Sequence, residues 1–271
     1  MRAGKNGWGH MTRRVTIFAK GNVDLRDTLH SKRVGGQIAW NGVNEILRES
    51  HPDWRARVRH ETCNRSDAMV AADGTIPAAL AERALPLGNH PLESQFATGM
   101  YDAGNDVVIL SLQPDVMNRL ARHRMDGHFM YPENIAEWQE EDRIWFASHY
   151  ERTGLLSPEQ SIANLEVLIG RLHEYVRHVL VYTMSPIVPG EWTHSHIGMA
   201  ETLSWRIRHF NLALIELSRR VEFSVVDVDT LFARHGADRL KLDGVHITAE
   251  GCRLVAEEVV AILAERGCFD A

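Results

Sequence analysis

An aspartate and a histidine near the C-terminus have the residue types and the spacing of a catalytic pair. They lie in the segment LDGVHITAEG, in which Asp243 precedes His246 by three residues. At this spacing a carboxylate can orient an imidazole, and the oriented imidazole can act as a general base. The alternative interpretation is a polar turn before a surface helix, because loops carry many aspartates and histidines.

A helix is predicted directly after this pair and would hold its backbone in place. Apolar residues recur at helical spacing at Leu254, Val255, Val259, Ile262 and Leu263. Thr248 is expected to cap the start of this helix, and Gly267 to end it.

Upstream, strand patterns alternate with helix patterns along the chain. Short runs, most of them rich in apolar and β-branched residues, predict five strands near residues 15–19, 55–62, 106–112, 178–184 and 221–228. Apolar residues over 38–48 predict the helix that follows the first strand. This alternation favours a parallel sheet with helices on both faces, in which ligands bind at the carboxyl ends of the strands.

The order of elements at the C-terminus carries a family resemblance. A helix, a strand and a short helix precede D-G-V-H-x-T-x-E-G, and this series resembles the end of the SGNH/GDSL hydrolase superfamily. The resemblance spans about residues 14–265. It implies an α/β fold, the three-layer α/β/α flavodoxin-like architecture with a parallel sheet of about five strands. It also implies a Ser-His-Asp site to which this loop contributes Asp243 and His246.

The other motifs of that superfamily are altered in this chain. After the first strand, Gly21-Asn22-Val23 stands in place of Gly-Asp-Ser, so valine occupies the nucleophile position. After the second strand the expected glycine is missing, and after the central strand Gln113-Pro114-Asp115 replaces Gly-x-Asn-Asp. The resemblance therefore points to Gly21, Asn22, Gln113 and Asp115 as oxyanion or substrate-binding residues, although a carboxylate would oppose a developing oxyanion.

Three other residues are candidate nucleophiles. Thr28 and Ser31 follow the altered motif, and Cys63 follows the second strand. Thr28 and Ser31 are equally interpretable as capping or turn residues. Cysteine is more often an inert buried residue than a nucleophile.

A second class of reaction would use carboxylates without a covalent intermediate. Polar residues predicted at the same sheet edge could bind a divalent cation or perform acid–base chemistry. These residues are Asn22, Asp24, Asp27, Glu61, Asp67, Asp115, Asp243 and His246. A third possibility is a binding module that keeps the pocket without the chemistry.

Length and composition set the remaining expectations. The 271 residues, with 44% hydrophobic and 24% charged residues, fit one α/β domain over 14–271, preceded by a disordered or tag-like stretch over 1–13. An insertion around 116–156, rich in His, Met and aromatic residues, is predicted to form either a lid or a pair of packed amphipathic helices. A net charge of −6 argues against a nucleic-acid-binding surface, and no apolar run reaches membrane-spanning length. Three scattered cysteines fit a reducing cytoplasm.

Together these patterns predict an atypical SGNH-type enzyme that hydrolyses or transfers an acyl group. The expected substrate is a small polar metabolite or a natural-product intermediate. No cofactor and no metal are assigned, and the oligomeric state is left open.

Overall fold

A computed structural model describes residues 12–62, 64–191 and 201–270. Cys63 and the segment 192–200, part of the predicted polar loop after the fourth strand of the sheet, lie outside the described residues.

Strands are distributed along most of the described chain. They are β1 (Arg13–Lys20), β2 (Lys32–Val34), β3 (Gln37–Trp40), β4 (Trp54–Glu61), β5 (Val107–Ser111), β6 (Ala121–His123), β7 (Phe129–Met130), β8 (Tyr150–Arg152), β9 (His178–Tyr182) and β10 (Ser224–Val226).

Helices separate most of these strands. They are α1 (Val23–Leu29), α2 (Val43–Ser50), α3 (Ser66–Ala71), α4 (Ala78–Ala81), α5 (Leu92–Gln95), α6 (Gln113–Met117), α7 (Glu140–His149), α8 (Pro158–Leu172), α9 (Leu203–Ser218), α10 (Val228–His235), α11 (Ala237–Leu240) and α12 (Ala249–Glu265). Among the described residues, no helix has both the length and the apolar character needed to cross a membrane.

The central sheet has the order β10-β9-β5-β1-β4, and every neighbouring pair is parallel. The five predicted strands and the three-layer α/β/α class are therefore confirmed. The last strand is shorter than predicted because Asp227 caps α10, its side chain accepting a hydrogen bond from the amide of Thr230. The carboxyl ends of all five strands lie at one edge, which brings the loops after them together.

Apolar packing covers both faces of this sheet. Ile17 and Ala19 of β1 pack with apolar residues of α1, α2, α10 and α12, whereas Phe18 packs on the opposite face with residues of α8 and α9. Successive strand residues point to opposite faces, so burial on both sides requires an unbroken apolar strand. β5 meets this requirement, because all five of its residues are buried.

The insertion at 116–156 differs from both predicted forms. It contains a small antiparallel sheet of β7, β6 and β8 together with α7, in place of a helix pair. Its buried side chains, including Met130, Trp138 and Phe146, form a separate apolar cluster with Leu80 and Phe96. The pairing of β6 with β8 joins Ala121 to Arg152 and His123 to Tyr150, residues far apart in sequence, so helical periodicity could not reveal it.

Candidate active site

Asp243 and His246 are in direct contact in the loop before α12. The Asp243 Oδ2 atom lies 2.8 Å from Nδ1 of His246, and Oδ1 accepts hydrogen bonds of 2.7 Å from the amides of Val245 and His246. A bridge between Lys241 and Ile247 closes the loop on itself. The carboxylate thus fixes both the loop backbone and the imidazole ring.

This hydrogen bonding determines the charge of Asp243 and the tautomer of His246. Partial burial raises the pKa of Asp243, but the hydrogen bonds from the amides of His246 and Val245 and from the His246 ring outweigh burial and lower this pKa to about 2. An ionised Asp243 can only accept, so Nδ1 of His246 must carry the proton that it donates. In the neutral ring, Nε2 is then the basic nitrogen. No hydrogen-bond partner for Nε2 is found within the described ranges.

A small pocket borders this loop at the carboxyl edge of the sheet. Gly244, Val245 and Ile247 form one side of it. The remaining lining residues come from α1, the ends of β5 and β9 and the elements around them; they are Asp24, Thr28, Gln113, Tyr182, Thr183, Met184, Ser185, Val228, Lys241 and Val255. The cavity volume is about 30 Å³, so the pocket is small. The catalytic-type pair therefore lies beside a narrow pocket.

Lys241 is a pocket residue that the sequence analysis did not identify. Its ammonium group donates to the carbonyl oxygens of Ser185 and Gly244 at 3.1 and 3.2 Å, which leaves one of its three N–H bonds free. Burial lowers the pKa of Lys241 to about 8, against the opposing effect of Asp243. In the sequence, the feature that could have identified Lys241 as a pocket residue was its position two residues before Asp243. The burial that makes it a pocket group arises from the tertiary fold.

Three other pocket side chains carry polar atoms that have no partner within the described part of the chain. They are the Asp24 Oδ1 atom, the Gln113 Oε1 atom and the Tyr182 hydroxyl. The second oxygen of Asp24 binds the Ser111 hydroxyl, and burial raises the pKa of Asp24. Because buried polar atoms are nearly always hydrogen-bonded, unpaired ones lining a pocket indicate a place for a ligand or water.

The altered first motif lies where β1 turns into α1. Gly21 leaves no room for a side chain, because a Cβ atom there would lie 2.5 Å from Cδ1 of Leu25. Asn22 occupies the cap position of α1 without a side-chain capping bond, and its Oδ1 atom is buried and unpaired. Val23 is the first residue of the helix, so an alkyl group stands at the expected nucleophile position.

Neither of the two described alternative nucleophiles, Thr28 and Ser31, forms a hydrogen bond with His246. Thr28 is fully buried, and its hydroxyl donates 2.6 Å to the carbonyl oxygen of Asp24 one turn earlier. Ser31 lines a different cavity, with Arg26 and His30. The third candidate, Cys63, lies outside the described residues.

Asp115 has a different environment from the one expected of an oxyanion or substrate-binding residue. Its carboxylate is buried and accepts hydrogen bonds from the amide of Ser66 at 2.6 Å and the hydroxyl of Ser161 at 2.5 Å. It does not line the pocket beside Asp243. Of the two candidates from the third motif, Gln113 reaches the pocket and Asp115 ties α3 and α8 together.

The carboxylates proposed as a cluster are distributed over separate ion pairs. Asp27 binds Lys32 at 3.0 Å, Glu61 binds Lys20 at 2.8 Å, and Asp67 binds Arg65 at 2.7 Å; no cation-ligating group forms among them in the described ranges. Among the described residues, these carboxylates therefore do not assemble into one cation site at this sheet edge.

One set of possible metal ligands lies in the insertion, in the turn between β6 and β7. Ligand atoms of His123, Asp126 and His128 lie within 4.8 Å of one another. The two imidazole rings, however, are stacked with centroids 4.7 Å apart and planes inclined by 10°. Parallel stacked rings direct their in-plane lone pairs side by side, so they do not converge on one ion. We assign this group to packing of the turn.

The insertion supplies no residue to the lining of the pocket beside Asp243. The predicted lid over this pocket is therefore not formed by residues 116–156. Val188 and Leu203 are the side chains that approach Gly244 of the catalytic-type loop.

Comparison with known proteins supports the fold. No family model matches this sequence, and no curated protein matches it. Among solved structures, the chain resembles LAE5, an α/β hydrolase enzyme from the metagenome of Lake Arreo in Spain. The two chains are 14% identical, superpose with a TM-score of 0.50, and match over 97% of this chain and 99% of that one. It also resembles a mutant of Axe2, an acetyl-xylooligosaccharide esterase from Geobacillus stearmophilus, with 12% identity, a TM-score of 0.50 and coverage of 92% and 93%. A member of the lipolytic G-D-S-L family from Veillonella parvula matches with a TM-score of 0.48 and 12% identity over 93% of this chain and 98% of that one.

At these identities the likeness concerns the fold alone. The three-layer α/β/α fold implied by the sequence motifs is confirmed, and the chemistry must be argued from the residues of this chain.

Proposed function

We propose that this chain is an acyl hydrolase or acyltransferase in which His246 activates the attacking hydroxyl directly, without an acyl-enzyme. The observation that carries the proposal is the Asp243–His246 pair: the carboxylate binds Nδ1 of the imidazole, no described residue bonds to Nε2, and the neighbouring loop residues Gly244, Val245 and Ile247 line the pocket. The altered motif supports the absence of a covalent step, because Val23 cannot attack a carbonyl carbon.

In the proposed reaction, Nε2 of His246 accepts a proton from water as the water oxygen attacks the acyl carbonyl carbon. The resulting tetrahedral intermediate collapses when the bond to the leaving oxygen breaks. His246 then returns its proton to that oxygen, which releases an alcohol and a carboxylic acid. With an acceptor hydroxyl in place of water, the same proton transfers produce acyl transfer.

Stabilisation of the oxyanion is assigned to donors at the pocket. Lys241 retains one free N–H. A hydrogen bond from this positively charged group becomes stronger as negative charge develops on the substrate oxygen. The side-chain amide of Gln113, which lines the pocket, is another candidate; Asn22, which the sequence motifs also implied, is not among the lining residues. This arrangement differs from one based on backbone amides and a nucleophilic serine.

The pocket favours a short acyl group. Its free volume of about 30 Å³ cannot admit a long hydrocarbon chain without rearrangement. A small polar acyl ester is thus the substrate class to test first, with an acetyl ester as the simplest member.

The mechanism is tested by looking for an acyl-enzyme. The full-length protein is mixed with excess aryl acetate, and its intact mass and its pre-steady-state time course are followed. Direct attack predicts no added acetyl mass and no burst of alcohol, with turnover lost in His246→Ala. A stoichiometric burst with a stable acetyl adduct would disprove direct attack, and the modified residue would identify the nucleophile. Binding of the ester without any turnover would favour the binding-module alternative.

A further inference from the structure

A second cavity opens beside α1 and is lined almost entirely by basic and polar side chains. It has a volume of about 490 Å³, and its lining residues are Arg26, Asp27, His30, Ser31, Arg33 and His60. None of these residues lines the pocket at Asp243.

The charges at this cavity do not cancel. Asp27 is the single acidic lining residue, and its two oxygens bind Arg26 at 2.9 Å and the buried Lys32 at 3.0 Å. Arg33 makes no ion pair with any described residue, and one of its terminal nitrogens donates to the Gly36 carbonyl oxygen. Three cations around one carboxylate leave an excess of two positive charges, in a protein whose formal net charge is −6.

Several hydrogen-bond donors remain available in the cavity. Arg26 uses Nε and Nη2 on Asp27, which leaves Nη1 free, and its side chain is 45% exposed. Arg33 uses Nη1 alone, so its Nε and Nη2 atoms are free, and the Ser31 hydroxyl has no partner among the described residues. Two guanidinium groups and a hydroxyl form a donor set that suits a compact oxyanion with several acceptor oxygens.

The location connects this cavity to the candidate active site. Both lie at the turn from β1 into α1: Asp24 and Thr28 face the pocket at Asp243, whereas Arg26 and Asp27 face the basic cavity. His60 at the end of β4 donates from Nε2 to the Gly21 carbonyl oxygen at 2.8 Å, which links the cavity wall to the altered first motif.

We propose that the basic cavity is a binding site for a phosphate group, held by Arg26, Arg33 and Ser31. The identification of this phosphate as part of the acyl substrate rests on the proposed function; binding of the group itself does not. A phosphate-bearing acyl compound would then place its anion in the cavity and its carbonyl beside His246.

The test is isothermal titration calorimetry of the full chain with inorganic phosphate, at ionic strength held constant with sodium chloride. Arg33→Gln and Ser31→Ala are the primary variants, because neither residue pairs with the buried Asp27. Arg234→Gln is the matched control, since Arg234 is exposed on α10 outside the cavity. Loss of one charge-assisted contact predicts that Arg33→Gln weakens phosphate binding about tenfold or more. We expect Ser31→Ala to weaken it by a smaller factor and Arg234→Gln to leave it unchanged.

His246→Ala separates this proposal from the proposed function. We expect it to bind phosphate as tightly as the unaltered protein while losing turnover. Equal phosphate affinity in Arg33→Gln and the unaltered protein would overturn the cavity assignment, and so would the absence of phosphate binding above the chloride background. Loss of phosphate binding in His246→Ala would place the anion at the pocket beside Asp243 and would also overturn the assignment of phosphate to the basic cavity. Phosphate binding without His246-dependent turnover would refute the proposed function alone.

Discussion

Replacement of Asp243 by asparagine tests whether this carboxylate sets the tautomer of His246. In the unaltered protein, the ring donates from Nδ1 to Asp243 Oδ2 at 2.8 Å, so Nε2 is the basic nitrogen. An asparagine that keeps its Oδ1 on the amides of Val245 and His246 would present an NH₂ group to the ring. Nδ1 would then have to accept, and the ring proton would move to Nε2. The base would face the pocket in its inactive tautomer.

The expected loss follows from this change of tautomer. General-base catalysis is worth about 10²–10⁴ in rate, and the loss of orientation and tautomer control removes a comparable factor. We therefore predict that kcat/KM for an acyl ester falls by about 10²–10⁴, which corresponds to roughly 3–5 kcal/mol of activation free energy. Because both backbone hydrogen bonds to the side-chain oxygen persist, the free energy of unfolding should change by about 1 kcal/mol or less.

The measurement compares initial rates and urea unfolding for three proteins: the unaltered chain, Asp243→Asn and Asp238→Asn. Asp238 is an exposed aspartate on α11 and controls for the loss of one negative charge near the loop. We expect Asp238→Asn to retain full activity. If Asp243→Asn keeps the kcat/KM of the unaltered protein, the tautomer argument is refuted. A parallel collapse of stability and activity in Asp243→Asn would show that the carboxylate acts on the loop alone.

Three further predictions concern the pocket. Burial lowers the pKa of Lys241 to about 8 in the folded chain, whereas the ordinary pKa of lysine in the unfolded chain is about 10.4, so between these values the folded chain binds fewer protons at Lys241. The free energy of unfolding of the unaltered protein should therefore rise between about pH 8 and pH 10 relative to that of Lys241→Met, by at most roughly 3 kcal/mol. An equal pH dependence of the two unfolding free energies, measured with urea, would contradict this. Burial raises the pKa of Asp24, so the stability that protonated Asp24 contributes is lost as pH rises through its folded-state pKa. The stability of Asp24→Asn relative to the unaltered protein should therefore increase from about pH 4 to about pH 7, as measured by urea unfolding at these two pH values. A serine-directed fluorophosphonate probe should leave the unaltered protein unlabelled and label Val23→Ser at the substituted position; labelling of the unaltered protein at one residue would contradict the assignment of direct attack.

Much of the fold was predictable because it depends on local periodicity. Four of the five strands of the sheet are short runs rich in apolar residues, and all five occur in the structure near the predicted positions. The predicted cap of α12 is also local: the Thr248 hydroxyl accepts from the amide of Gly251 at 3.2 Å. Asp243 and His246 are three residues apart in one loop, so their spacing in the sequence was enough to predict the contact between them.

The helix predicted over 38–48 shows where local pattern was insufficient. Residues Gln37–Trp40 form β3 of a hairpin, and α2 begins at Val43. Gly42 has a φ of +80°, and a Cβ atom there would lie 2.0 Å from the carbonyl oxygen of His30, so this position separates the two elements. The Trp40 indole donates to the carbonyl oxygen of Thr28, which holds the hairpin strand against α1. These contacts come from another part of the chain.

Sequence alone was sufficient to predict the fold class, the contact between Asp243 and His246, and an alkyl side chain at Val23 where the family resemblance implies serine. The tertiary structure decided which polar residues share a site: it brought Asp24, Gln113 and Lys241 to one pocket and turned Asp115 toward Ser66 and Ser161. The physical reason is that secondary structure and short loops follow from neighbours in sequence. Burial, pKa shifts and pocket membership depend on residues that only chain folding brings together.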